Sequence, residues 1–198
     1  MSTLEEIRDS LPDYARDIRL NLASVLTPGG APGLTPRQIW AVALASAVAA
    51  RNVEFASQIE ALAASHLSAG DIAAAHAAAA IMAMNNIYYR FVHLTEDPEY
   101  QRLPARLRMN VIAQPGIDKV DFELMSLAVS AINGCGACVA AHERQLRTHG
   151  LERETVQSAV RIAAVIHAAA AVAEQVQASQ TTRLREPPRK NSSTLAAI

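Results

Sequence analysis

Apolar residues recur along most of the chain at intervals of three and four, the spacing of amphipathic helices. Leu4, Ile7 and Leu11 share one face of a first helix, and Thr3-Leu4-Glu5-Glu6 has the spacing of a capping box. A second segment, starting at Pro12, carries Tyr14, Ile18 and Leu22, and TPGGAPG (Thr27 to Gly33) reads as a loop. Thr35-Pro36-Arg37-Gln38 then supplies an N-cap, a proline at the first helical position and a glutamine three residues after the cap. That start opens a helix through about Ala50. Further helices are predicted over Glu54 to His66 and from Asp71 to about Val92. TEDPEYQRLP and AQPGID read as loops around a short segment containing Leu107 and Met109. Asp118 caps a helix to Ile132, Asn133-Gly134 breaks it, and a new helix carries both cysteines to His149, with Gly150 as terminator. The last helix is predicted from about Arg153 to Gln177.

The expected architecture is all-α. A single domain over 1–178 comprises an N-terminal half, 1–95, and a C-terminal half, 118–178, followed by a flexible tail at 179–198. Aligning SAVAARN (Ser46 to Asn52) with LAVSAIN (Leu127 to Asn133) matches four positions. In both places a helix end is followed by a break, a second helix, a turn at Gly70 or Gly150 and a long alanine-rich helix. Two related helical-hairpin units are the reading. In that register Glu54 and Ser57 stand opposite Cys135 and Cys138.

Composition supports helix packing: 51% of the residues are hydrophobic but only 4% are aromatic, so the core is built from alanine and aliphatics. A net charge of −1 gives no electrostatic reason to expect nucleic acid or an acidic membrane surface. The amphipathic N-terminus has no apolar signal region, and apolar runs are interrupted by His, Asn or charge. A cytoplasmic protein without a membrane span is therefore expected.

Chemistry concentrates in one stretch. Cys135 and Cys138 are the only cysteines, they form a C-x-x-C pair, and His142 follows four residues after the second. If the helix includes all three, they fall at i, i+3 and i+7 on one face, with His142 one turn from Cys138. A free thiol with a pKa of about 8.5 is mostly protonated at neutral pH; an adjacent imidazole can take its proton, and a helix start favours the thiolate. Glu123 on the preceding helix completes a thiol, imidazole and carboxylate relay if the two helices pack as a hairpin. Three other readings stand beside the redox dithiol: zinc held by Cys135, Cys138, His142 and Glu123, a structural disulfide, or two plain core cysteines. His66, His76, His93, His149 and His167 lack partners at motif spacing and read as surface or core residues. MNNIYYRF (Met84 to Phe91) reads as packing and interface.

With these motifs the chain resembles the alkylhydroperoxidase D family, within the wider carboxymuconolactone decarboxylase superfamily. The likeness runs from LPDYARDIRLNL through AAIMAMNNIYYR and LRMNVIAQPGIDKVDFELMSLAVSAINGC to AHERQLRTHG, nearly the whole chain short of the tail. The resemblance implies an all-α homotrimer that reduces organic hydroperoxides and regenerates an AhpC-type peroxiredoxin. No bound cofactor is implied. Lipoyl groups (dihydrolipoamide) on a lipoylated acyltransferase, kept reduced by dihydrolipoamide dehydrogenase, would be the electron donor. By motif position Cys138 corresponds to the nucleophile that forms sulfenic acid, Cys135 to its proton donor and disulfide partner, and His142 and Glu123 to the proton relay. The family pattern often has a histidine between the two cysteines, where this sequence has Ala137. Direct peroxide turnover is expected to suffer from that more than thiol exchange, which needs only two suitable thiols. The alternatives carried forward are a disulfide reductase without significant peroxidase activity and a metal-binding helical protein.

Overall fold

The structure, a computed structural model, describes residues 3–185. Among them are ten α-helices, a 3-10 turn at Asp13–Ala15, and no strand. Helix α1 (Leu4–Asp9) begins with the capping box read from sequence: Glu6 N–H donates to Thr3 Oγ1 at 3.1 Å and Thr3 N–H to Glu6 Oε2 at 2.8 Å. After Pro12 the chain makes the 3-10 turn and then α2 (Arg16–Val25). α3 (Pro36–Ala49) starts with the Thr35/Gln38 box, and every residue from Ile39 to Ala47 is buried. A helix apolar on all sides belongs in the middle of a protein. It packs against α4 (Val53–Ala63), α5 (Ala69–Leu94), α8 (Lys119–Ile132) and α10 (Arg153–Arg185). α8 is likewise buried at Phe122 and from Leu124 to Ser130, with Glu123 only partly covered, and it packs on α3, α5, α10 and α9 (Gly136–Thr148). Alanines such as Ala43, Ala75, Ala78 and Ala163 face these contacts and let the helices approach closely.

One polar cluster ties the centre together. Arg37 on α3 forms ion pairs with Asp71 on α5 and Asp121 on α8, and Gln38 Nε2 donates to Asp121 Oδ1 at 2.8 Å. The hydrogen bond from Arg37, reinforced by Ser68, outweighs burial and holds the Asp71 carboxyl down at about 2.

Several sequence expectations need correction. α5 starts at Ala69 under a Ser68 cap rather than at Asp71, so Gly70 lies inside its first turn and not in a turn before it. TEDPEYQRLP is not all loop, because Asp97 and Pro98 start the short helix α6 (Pro98–Arg102), and a second short helix, α7, covers Asn110–Ala113. α10 continues through Arg185, so the expected tail is helical at its start; residues 186–198 lie outside the described residues. Within α10, Arg153–Thr181 is long and apolar enough to cross a membrane, contrary to the expectation that no stretch is, and 44% of its most apolar window is buried in the fold.

The two hairpins, α3–α4 and α8–α9, correspond closely, but not in the register expected. The N-caps Thr35 and Asp118, the left-handed residues Arg51 (φ 67) and Gly134 (φ 68), and the second caps Asn52 and Cys135 each stand 83 residues apart. Asn52 and Phe55, rather than Glu54 and Ser57, therefore lie opposite Cys135 and Cys138. Alanine-rich helices score similarly after a two-residue slip, whereas a turn and its cap allow no slip.

Candidate active site

Cys135 is not inside a helix; it is the N-cap of α9, with extended backbone (φ −92, ψ 92). Its sulfur accepts a hydrogen bond from Cys138 N–H at 3.3 Å, where a capping serine or aspartate would place an oxygen. The two cysteines are joined as a disulfide with their Cα atoms 5.3 Å apart. The expected i, i+3, i+7 stripe is thus replaced by a cap followed by an i, i+4 pair, Cys138 and His142, within α9.

The turn that delivers Cys135 is braced from α5. Asn86 Nδ2 donates to Ser130 Oγ and Asn133 Nδ2 donates to Asn86 Oδ1, both at 2.9 Å. Arg90 donates to the Asn133 carbonyl at 2.7 Å, and Cys135 N–H donates to Ser130 O at 3.1 Å. Asn86 and Arg90 of MNNIYYRF, a stretch read as packing and interface, therefore hold the reactive turn.

His142 Nδ1–H donates to Glu123 Oε2 at 2.6 Å, across the α8–α9 hairpin. The side chains are only 12% and 17% exposed, so water screens this pair weakly. With Nδ1 taken by the carboxylate, Nε2 is the nitrogen left for proton transfer. It makes no hydrogen bond to a described residue. The folded chain brings Cys135, Cys138, His142 and Glu123, the four residues expected to act together, to one hairpin.

The two sulfurs differ in access. Cys135 is 0% exposed, whereas Cys138 is 7% exposed and opens onto a cavity of about 260 Å³ between α5, α7 and α9. Met82, Tyr89, Met109 and Ile112 give the cavity an apolar wall, and Cys138, Ala137 and His142 line its α9 side. A larger cavity of about 530 Å³, lined in part by Arg51, Arg90 and His167, contains neither sulfur. The geometry suits a small apolar molecule that must meet one sulfur beside an imidazole. Among the described residues no group of three or more His, Cys, Asp or Glu is placed to hold a metal ion. Three other histidines have partners away from the site: His66 stacks on Trp40 with ring centroids 5.1 Å apart, His76 meets Glu60 at 2.7 Å, and His149 Nδ1 meets the Gln145 carbonyl at 2.8 Å.

The chain is similar to known proteins over most of its length. Residues 98–180, which include both cysteines, match the model of the carboxymuconolactone decarboxylase family. The chain is 56% identical over 170 residues to alkyl hydroperoxide reductase AhpD of Rhodospirillum centenum, covering 86% of this chain and 90% of that protein. It is 52% identical over 180 residues to the protein of the same name from Frankia alni (91% and 96% covered), and 54% identical over 169 residues to that of Coxiella burnetii (85% and 96% covered). Identity above one half across almost the full length of several such proteins means that the chain belongs to the AhpD family of alkyl hydroperoxide reductases.

Proposed function

We propose that this protein reduces organic hydroperoxides with the Cys135/Cys138 pair and passes reducing equivalents from lipoyl groups to an AhpC-type peroxiredoxin. The observation that carries the reading is the unequal access of the two sulfurs: Cys138 opens onto an apolar cavity that His142 also lines, and Cys135 is sealed behind it.

In the reduced protein, the Cys138 thiolate attacks the terminal, hydrogen-bearing oxygen of the peroxide. The O–O bond breaks and the alkyl oxygen leaves as an alcohol after taking a proton from the Cys135 thiol. Cys138 becomes a sulfenic acid. The Cys135 sulfur then attacks Cys138, the S–O bond breaks, and the oxygen departs as water, giving the disulfide. His142 removes the thiol proton that activates Cys138 and returns one to the leaving oxygen, while Glu123 fixes the ring through Nδ1. A dihydrolipoyl dithiol attacks the Cys138 sulfur, the more accessible of the two, and its second thiol closes the lipoyl ring, releasing both cysteines as thiols. A dithiol outperforms glutathione in this step because its closing attack is intramolecular.

Disulfide exchange without significant peroxidase activity is the second reading, favoured by one observation: the residue between the cysteines that faces the cavity is Ala137, which brings no acid or base. A homotrimer in the cytoplasm is also proposed. Ile87, Phe91 and Leu94, at helical spacing on α5 and 62%, 46% and 70% exposed, offer an apolar stripe for self-association.

Thiols are titrated before and after dihydrolipoamide, with peroxide consumption followed in the same tube. Two new thiols per chain and sustained consumption of cumene hydroperoxide are expected. Two new thiols without consumption would leave the exchange reading, and no new thiols would sink both.

A further inference from the structure

Two adjacent carboxamides on α5 are treated very differently by the fold. Asn86 uses both ends, donating to Ser130 and accepting from Asn133. Its neighbour Asn85 is only 4% exposed, yet its Oδ1 is buried with no hydrogen-bond partner. Asn85 lines the same cavity as Cys138 and His142. Buried carboxamide oxygens are nearly always paired, and an exception at a cavity wall asks what fills it.

The missing partner must bring a donor, and it must fit a cavity that is otherwise apolar on the α5 and α7 sides. We infer that Asn85 is the substrate-binding residue for the peroxide group: its Oδ1 accepts the O–H of an organic hydroperoxide whose carbon substituent lies against Met82, Met109 and Ile112. The inference rests on the peroxidase reading above. A hydroperoxide carries its one donor on the oxygen that the thiolate attacks, so an acceptor beside Cys138 aligns that oxygen with the sulfur. The dithiol or dithiolane that would regenerate the protein presents only sulfur to Cys138 and gains little from a carboxamide oxygen.

The chemistry balances with Asn85 as a constant acceptor. The Cys138 sulfur gives an electron pair to the terminal oxygen, the O–O bond breaks, and the alkyl oxygen takes a proton and leaves as the alcohol. The sulfur is oxidised by two electrons and the peroxide is reduced by two. The hydrogen on the transferred oxygen is not the one moved by Cys135 or His142, so it stays bonded to that oxygen, as the O–H of the new sulfenic acid, and keeps donating to Asn85 Oδ1. Asn85 therefore both orients the peroxide and holds the sulfenic acid until Cys135 closes the disulfide. A site built around such a hydrogen bond discriminates against ligands that lack it.

The test compares the two half-reactions in Asn85→Leu, Asn85→Ala and Asn85→Ser. The reduced proteins are mixed rapidly with cumene hydroperoxide, and separately the oxidised proteins are reduced by dihydrolipoamide. Unfolding midpoints in urea are measured alongside. Asn85→Leu is expected to slow the peroxide reaction about 10-fold, the size of one neutral hydrogen bond, and to leave dihydrolipoamide reduction within about 2-fold. Its urea midpoint should equal or exceed that of the wild type, because an unpaired buried oxygen has been replaced by a side chain of similar volume. A merely structural Asn85 would lower the midpoint and slow both half-reactions together, which overturns the inference. So does an unchanged peroxide rate. If Asn85→Leu does not fold, Asn85→Ser and Asn85→Ala differ by one hydroxyl; Ser should react several-fold faster with peroxide, and equal rates reject the assignment. Wild type that is reduced by dihydrolipoamide but never reacts with the peroxide removes the peroxidase reading itself. That outcome is distinct from an active wild type with indifferent variants.

Discussion

The α3–α4 and α8–α9 hairpins share a design and differ in what fills it. Each enters on a capped helix, turns through one left-handed residue and starts its second helix on a side-chain cap that accepts a backbone N–H three residues on. In the first hairpin the cap is the Asn52 oxygen, bonded to Phe55 N–H at 2.9 Å; in the second it is the Cys135 sulfur, bonded to Cys138 N–H at 3.3 Å. The positions of Glu123, Cys138 and His142 are held in the first hairpin by Trp40, Phe55 and Ile59, all buried apolar side chains. Asn52 also donates to Glu174 on α10 at 2.7 Å, which fixes that cap to the scaffold. The turn and cap are therefore properties of the hairpin as a folding unit. Chemistry is added when an acid, a thiol and an imidazole replace three core side chains and a cavity opens beside them.

The largest contrast comes from equivalent substitutions. Cys138→Ser should abolish the peroxide burst and all dimedone trapping of sulfenic acid. Phe55→Ala, at the matching position, should leave the burst intact in the folded protein and lower stability by about 3–5 kcal/mol, read from urea unfolding. Cys135→Ser should react once and accumulate a dimedone adduct at Cys138, located by mass spectrometry. An adduct at Cys135 in the Cys138→Ser protein, with none in its counterpart, would transfer the nucleophile to the cap.

Next in size is the relay. His142→Gln should slow the burst about 100-fold, and adding Glu123→Gln should cost little more, because the two act as one unit. Multiplicative losses would show that Glu123 acts other than through His142. Ala137→His should raise peroxide turnover about 10-fold while dihydrolipoamide reduction stays unchanged; no gain would mean that the existing pair suffices.

Smaller effects concern what joins the hairpins. Because Asp71 is held at about 2 against an ordinary 3.8, its stabilisation is complete above about pH 4 and is lost as pH falls toward 2. The loss should be on the order of 1–2 kcal/mol after screening at the half-exposed Arg37, and Asp71→Asn should flatten that part of the pH–stability curve. Smallest of all, Gly134→Ala should destabilise by about 1 kcal/mol, since Gly134 has φ 68, while Arg51→Gly should be neutral or slightly stabilising.

Much of this was legible in the sequence. Capping boxes at Thr3 and Thr35 and the Asp118 cap are local signals that depend on a few neighbouring residues, and all three formed. Cys135, Cys138, His142 and Glu123 were found together because cysteine is rare here and the turn at Gly134 forces α8 back along α9. Periodicity could not distinguish the last residue before a helix from the first within it, so Cys135 was read as helical. Nor could it tell Asn85 from Asn86: whether a carboxamide is paired depends on α8 and the turn that ends it, more than forty residues away.

The position of Cys135 has a mechanical consequence. With one sulfur at the cap and the other three residues on, the disulfide is a covalent clasp around the first turn of α9. While it is closed, that turn cannot fray. Once reduced, the Cys138 amide is held only by a sulfur acceptor at the positive end of the helix dipole, and the Val139 amide by the Cys135 carbonyl. The oxidation state is thereby written into backbone mobility, and amide hydrogen exchange at Cys138 and Val139 becomes a gauge of electrons stored.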